Sequence, residues 1–142
     1  YMEAFEDLMI ENNVFDFFAR CNREFGTVGF ISDNTIRAKK NLKELLDKHR
    51  VDYDTVVVSD EVGVEKPDPE IFKAFIDQRD EEASEFVYIG NDAERDLGAL
   101  EAGMKFIWTT QFDNVNSTYE GPQIDELEFQ KLQKAIREVE ER

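Results

Sequence analysis

Cations are scarce in this sequence, and it holds one cysteine, one histidine, one tryptophan and three prolines. Each shortage excludes something. A lone Cys21 cannot form an internal disulfide, so no disulfide framework holds the fold. No apolar run approaches the ~20 residues of a membrane span. Nothing resembles a secretory signal, and the chain reads as cytoplasmic. Against 33 acidic residues stand 17 Lys and Arg, a formal net charge of −16. That balance argues against nucleic acid and against an anionic membrane as partners, since phosphate contacts need clustered Lys and Arg. It leaves room for a small phosphorylated metabolite, which one or two local cations can hold. Most of the acidity reads as solvated helix faces.

What is present is enough for one domain: 142 residues, 41% of them hydrophobic, with 12 phenylalanines to fill a core. Helix and strand patterns alternate. Met2, Phe5 and Met9 recur at helical spacing, then Glu11-Asn12-Asn13 breaks the pattern. Residues 14–24 carry a wide apolar stripe of Val14, Phe15, Phe17, Phe18 and Cys21. Thr27–Ile31 reads as a buried strand ending at Ser32-Asp33-Asn34, followed by a helix with Ala38, Leu42, Leu45 and His49 on one face. Thr55–Val58 is a β-branched strand without polar alternation, which suits a parallel sheet covered on both faces. Asp68 caps a helix that has Pro69 at its first position. Phe86–Ile89 is a third strand, and the helix after Asp92 is expected to run to Gly103, its C-terminal cap. Lys105–Trp108 is a fourth strand. Residues 110–122 are polar and turn-rich, and a last amphipathic helix uses Ile124, Leu127, Leu132, Ile136 and Val139.

Strands separated by helices of about ten residues imply right-handed crossovers and an α/β fold, a three-layer Rossmann-like parallel sheet with helices on both faces. Ligands of such sheets lie beyond the carboxyl ends of the strands. Three polar clusters fall at those ends: Ser32-Asp33-Asn34, the loop from Ser59 to Lys66, and Asn91-Asp92. The Ser32 hydroxyl and the backbone N–H groups of Asp33 and Asn34 can donate to a phosphate oxygen, with Lys66 as a point charge. Asp92 and Asp96 are hard oxygen donors suited to Mg²⁺, which takes few carboxylates plus water and substrate oxygens. Taken singly, Ser32 reads as a turn residue, Lys66 as a surface lysine, Asp92 as a helix cap and Asp96 as a solvent-facing carboxylate. Their conjunction at successive strand ends is what points to a site. His49 and Cys21 read as structural, and Trp108 as packing.

The order of a hydrophobic strand ending in Ser32, then Lys66-Pro67-Asp68-Pro69-Glu70-Ile71-Phe72, then Gly90-Asn91-Asp92 with Asp96 and Ala102-Gly103-Met104, resembles the haloacid dehalogenase superfamily of hydrolases. It is most similar to phosphatase-type members with a helical cap, over residues 14 to 136. The resemblance implies Mg²⁺-dependent phosphomonoester hydrolysis. It assigns Ser32 to the phosphoryl group, Lys66 to steadying nucleophile and phosphate, and Asn91, Asp92 and Asp96 to the metal. Asn91 stands where many members have an aspartate, so either Asn91 or Asp92 is the direct ligand.

One part of that pattern is absent. The family's first motif, Asp-x-Asp-x-Thr/Val at the end of the first strand, supplies the covalent nucleophile and the general acid–base. Asp52-Tyr53-Asp54-Thr55 looks like it but precedes a strand, and Asp16 follows only a helical stripe. Residues 1–13 resemble the end of a cap returning to the core, and 14–142 the core without its first strand. That strand belongs mid-sheet, between those ending at Ser32 and Ile89, so two strands are expected to face a gap with costly unpaired edges. The expectation is a chain inactive alone, completed by an upstream segment, a second chain or a swapped dimer. The alternative is a truncated, non-catalytic member that binds a phosphate or a partner. A receiver domain does not fit, because the order is Ser, then Lys, then Asp.

Overall fold

The computed structural model describes residues 2–26, 28–111 and 119–140, with the side chains of these apart from residues 2–5 and 8. The expected roles of the Met2 and Phe5 side chains and of Thr27 lie outside the described residues. Helix α1 (Met2–Glu11) turns through left-handed Asn13 into α2 (Val14–Phe25). Then come β1 (Phe30–Ser32), α3 (Ile36–Lys48), β2 (Val56–Val58), the short α4 (Ser59–Val62) and α5 (Pro69–Ile76). A single 3₁₀ turn leads to β3 (Val87–Gly90), α6 (Gly98–Glu101), β4 (Lys105–Thr109), β5 (Gln123–Ile124) and α7 (Phe129–Glu140).

Local chemistry sets the helix starts. The Thr35 hydroxyl accepts from the Ala38 N–H, 3.1 Å, and begins α3. Asp68 accepts from the Glu70 N–H, 3.0 Å, and Pro69 follows it where a missing N–H costs nothing. Two expectations are corrected. The segment after Asp92 is a chain of turns, and only Gly98–Glu101 is helical. The Asp92 carboxylate draws the Glu94 and Arg95 N–H groups back, and Gly98 passes so close to the Pro67 carbonyl that a Cβ there would overlap it. Ile124 belongs to β5, in register with Thr109, and Leu127 lies between β5 and α7, so neither is part of the last helix.

All pairings are parallel, and helices cover both faces. On one face Phe17 and Cys21 of α2 and Leu132, Ala135 and Val139 of α7 pack over Ile107. On the other, Ile71, Phe72 and Phe75 of α5 pack with Ile31, Val57 and Met104. Phe72 and Ile71 are fully buried. This is the α/β architecture expected from the alternating pattern. It is nevertheless divided: β1 pairs with β2, β3 with β4 and β4 with β5, and no ladder among the described residues joins β1 to β3.

Helix α1 is tied to the end of α3. The Glu6 carboxylate lies 2.8 Å from Lys48 Nζ and 2.6 Å from His49 Nε2, and the His49 ring stacks 3.9 Å from Phe15. Hydrogen bonding from Lys48, then His49, holds the Glu6 carboxyl below its ordinary value of 4.5. A carboxyl whose pKa falls on folding stabilises the fold above its unfolded pKa, and the contribution fades as pH falls through the folded one. Glu6→Gln should therefore lower the melting temperature at neutral pH and shrink the further loss seen below about pH 4.5. Melting curves across that range check it.

Candidate functional site

The division of the sheet creates a slot. In β1 the Phe30 N–H bonds to the Thr55 carbonyl, 2.9 Å, and the Asp54 N–H to the Val28 carbonyl, 2.8 Å. Val28 and Phe30 therefore turn their peptide groups toward β2, and Gly29 and Ile31 turn theirs the other way. The Lys105 N–H bonds to the Phe86 carbonyl, 3.0 Å, so Val87 and Ile89 turn theirs away from β4. These two edges face one cavity of about 700 Å³, lined by every residue from Val28 to Ser32 and from Phe86 to Asn91. Phe17, Phe18 and Cys21 of α2 close one side of it and Phe75 and Met104 the other. Burial pushes the Cys21 thiol up to about 12, so it is a packing group and no nucleophile.

Polar groups gather where the strands end. Lys66 Nζ donates to Asp96 Oδ1 at 2.8 Å and to the Tyr88 hydroxyl at 3.3 Å. The Asp96 side chain is 1% exposed and that of Lys66 14%. Asp96 Oδ2 accepts from the Asp92 N–H, 3.2 Å. Asp33 Oδ1 accepts from the Lys66 backbone N–H, 2.8 Å, and its Oδ2 pairs with the Arg95 guanidinium, which also reaches Glu65 at 3.3 Å. Ser32 lines the slot beside Lys66, Asn91 and Asp96. The sequence-predicted residues Ser32, Asp33, Lys66, Asn91, Asp92 and Asp96 thus meet at one end of the slot. Asn34 turns elsewhere: its side chain accepts from the Thr35 N–H, and its carbonyl from the Asp60 N–H and the Ser59 hydroxyl. Asp52 and Asp54 precede β2, at the far end of the sheet from Ser32.

The oxygen donors at this rim are largely occupied by protein groups. Asp96 is committed to Lys66, Tyr88 and the Asp92 N–H. Asp92 spends Oδ1 on the Glu94 and Arg95 N–H groups, 3.1 Å each. Among the described residues no three His, Cys, Asp or Glu side chains cluster closely enough to hold a metal ion. These residues alone do not make a Mg²⁺ site; Asp92 and the exposed Asn91 are the groups left at its position.

Three functional neighbours were not singled out from sequence. Tyr88 shares a strand face with Gly90 by the two-residue period, which was a readable signal. Trp108 Nε1 donates to the Asn91 carbonyl, 3.0 Å, and so holds the turn before Asp92. Arg95 sits on Asp33 across the slot, a pairing between residues 62 apart that no local pattern reveals.

A family model described as haloacid dehalogenase-like hydrolase matches residues 4–109. A curated protein, the glyceraldehyde 3-phosphate phosphatase of Pyrococcus abyssi, is 30% identical over 89 residues, 62% of this chain and 37% of that protein. A crystal structure of a HAD phosphatase from Thermococcus onnurineus superposes with a TM-score of 0.68 at 23% identity, covering 93% of this chain and 64% of that one. A Bacillus subtilis HAD-hydrolase described as bound to magnesium gives 0.68 at 21%, covering 82% and 52%. At those identities the structural likenesses bear on the fold alone. The chain spans less than two thirds of the length of each.

A buried charge left without its partner is costly, about 3–5 kcal/mol. Asp96→Ala should lower stability by about that much, and adding Lys66→Met, which removes the stranded ammonium, should recover part of it. Urea denaturation of the two variants beside the parent chain checks this.

Proposed function

The chain belongs to the haloacid dehalogenase-like hydrolases, and on that premise we propose that it is the phosphate-holding portion of a Mg²⁺-dependent phosphomonoesterase. The observation that carries this reading is the slot. Two unpaired parallel edges converge on a lysine ammonium and a serine at their carboxyl ends. A parallel strand laid between Ile31 and Ile89 would pair both edges, and its last residue would emerge between Ser32 and Lys66. A carboxylate there would face the ammonium. None of the described strands is followed by an Asp-x-Asp pair, and the proposed strand would come from elsewhere, on a preceding segment or a partner chain.

In the completed site the strand's first aspartate attacks phosphorus, the ester P–O bond breaks, and the second aspartate protonates the departing alcohol. Water then cleaves the aspartyl phosphate and releases inorganic phosphate. Lys66 offsets charge on the transferring phosphoryl oxygens, and Ser32 donates to one of them. Asp92 or Asn91, together with the strand's carboxylates, would hold Mg²⁺, which would supply further neutralisation of the phosphate. A small phosphomonoester is the substrate class, in keeping with the triose phosphate named for the Pyrococcus protein. A cytoplasmic setting is proposed; among the described residues no helix is long and apolar enough to cross a membrane.

The second reading is a non-catalytic binding module, favoured because, among the described residues, the carboxylate beside Lys66 is Asp96, which is held by Lys66, Tyr88 and the Asp92 N–H. An assay with p-nitrophenyl phosphate and Mg²⁺ separates the two. The chain alone should show no turnover. Adding a synthetic strand of apolar residues ending in Asp-x-Asp should produce it, and Lys66→Ala should then reduce it by about 10²-fold or more. Turnover by the chain alone, or none with any strand that binds, would overturn the enzymatic proposal as stated.

A further inference from the structure

One hydroxyl sits where three elements meet. Tyr88 Oη lies 3.3 Å from Lys66 Nζ, 3.3 Å from Asp96 Oδ1 and 3.3 Å from the Ile31 carbonyl oxygen. Lys66 belongs to the loop before α5, Asp96 to the turns after β3, and Ile31 to the other half of the sheet. The strand pleat explains the position. Tyr88 and Gly90 share a face, and a Cβ at Gly90 would run into the Asp96 carboxylate, so the chain after β3 folds back over this face.

The ring cannot swing freely. It packs edge-on against Phe72, 5.1 Å between centroids, and lies 6.3 Å from Phe106. Burial, then the Asp96 and Asp33 charges, hold the phenol well above its ordinary range, so its proton stays in place. The hydroxyl accepts one hydrogen bond from the Lys66 ammonium and donates its single proton to Ile31 or Asp96. A lysine ammonium has three donors on a flexible stem of four carbons. Asp96 takes one and Tyr88 a second. Among the described residues no group takes the third, which remains for a ligand.

We propose that Tyr88 is a positioning residue for Lys66, its hydroxyl and the Asp96 carboxylate together aiming the one remaining ammonium N–H at a phosphate oxygen beside Ser32. The proposal rests on the reading of Lys66 as the phosphate-binding cation. Asp96 alone would leave the ammonium free to pivot about a single contact. Tyr88 also reaches the Ile31 carbonyl across the gap, an acceptor whose second lone pair stays open to an inserted strand.

Tyr88→Phe removes the hydroxyl and keeps the ring among Phe72 and Phe106. The test follows the Lys66 ammonium protons by nitrogen-15 NMR in the full chain, then titrates inorganic phosphate. In the parent chain those protons should show a nuclear Overhauser contact to the Tyr88 ring; its absence overturns the proposal however the variant folds. In Tyr88→Phe, ammonium proton exchange should accelerate several-fold and phosphate affinity should fall by about tenfold, the worth of one hydrogen bond to a charge. A variant with a lowered melting temperature but unchanged Lys66 exchange would show that Tyr88 only ties the sheet halves, and would overturn the assignment. A parent chain that ignores phosphate while the variant's exchange accelerates would instead keep the positioning of Lys66 and defeat the phosphate reading.

Discussion

An ammonium and a carboxylate 2.8 Å apart, both largely removed from water, hold the carboxyl end of this sheet together. Neither Lys66 nor Asp96 could be buried alone, because desolvating a single charge costs several kcal/mol. They are tolerated because every neighbouring polar group answers them. Tyr88 bonds to both, and the Asp92 N–H fills the second oxygen of Asp96. The loop before α5 and the turns after β3 are consequently placed relative to one another by chemistry, not by packing alone. The outer pair of Asp33 and Arg95 belongs to the same arrangement, but the Arg95 side chain is 46% exposed, where water and salt weaken a pair. The inner pair sets the geometry and the outer one trims it.

That arrangement explains how a divided sheet keeps an ordered end. Among the described residues no ladder joins β1 to β3; Tyr88 of β3 bonds the Ile31 carbonyl of β1, and just beyond the strands Arg95 pairs with Asp33. The interior of the slot is apolar and its rim is charged. The groups proposed to bind and neutralise phosphate stand on the rim, while the strand edges inside are open to a backbone. On the proposed reading, binding and bond-breaking are separated along the polypeptide: this chain would carry the first, and the second would depend on what occupies the slot.

Much of this was legible in the sequence. The β-branched run Val56–Val58, the Asp68-Pro69 helix start and the polar residues behind each strand are local signals, and the structure realises them. The break between β1 and β3 among the described residues lies where the resemblance puts a further strand, between those ending at Ser32 and Ile89. What escaped reading was set by tertiary contacts. The segment after Asp92 has helical composition, yet Lys66 draws Asp96 inward and the chain stays in turns until Gly98. Ile124 fits a helical stripe, but its pairing with Thr109 places it in a strand of two residues, too short for any periodicity. Tyr88 was readable only as an apolar strand residue until the fold brought Ile31 and Lys66 to its hydroxyl.

Open strand edges are also a question of which molecule arrives first. Two copies of this chain carry −16 each, and they repel before their edges come within reach. At physiological salt that repulsion acts over only about 8 Å, the range of the final approach. A segment with basic flanks experiences the opposite force over the same distance. The acidity that first read as solvation of helix faces therefore also opposes self-pairing of two such edges, and on the proposed reading it would favour an incoming strand of the complementary sign.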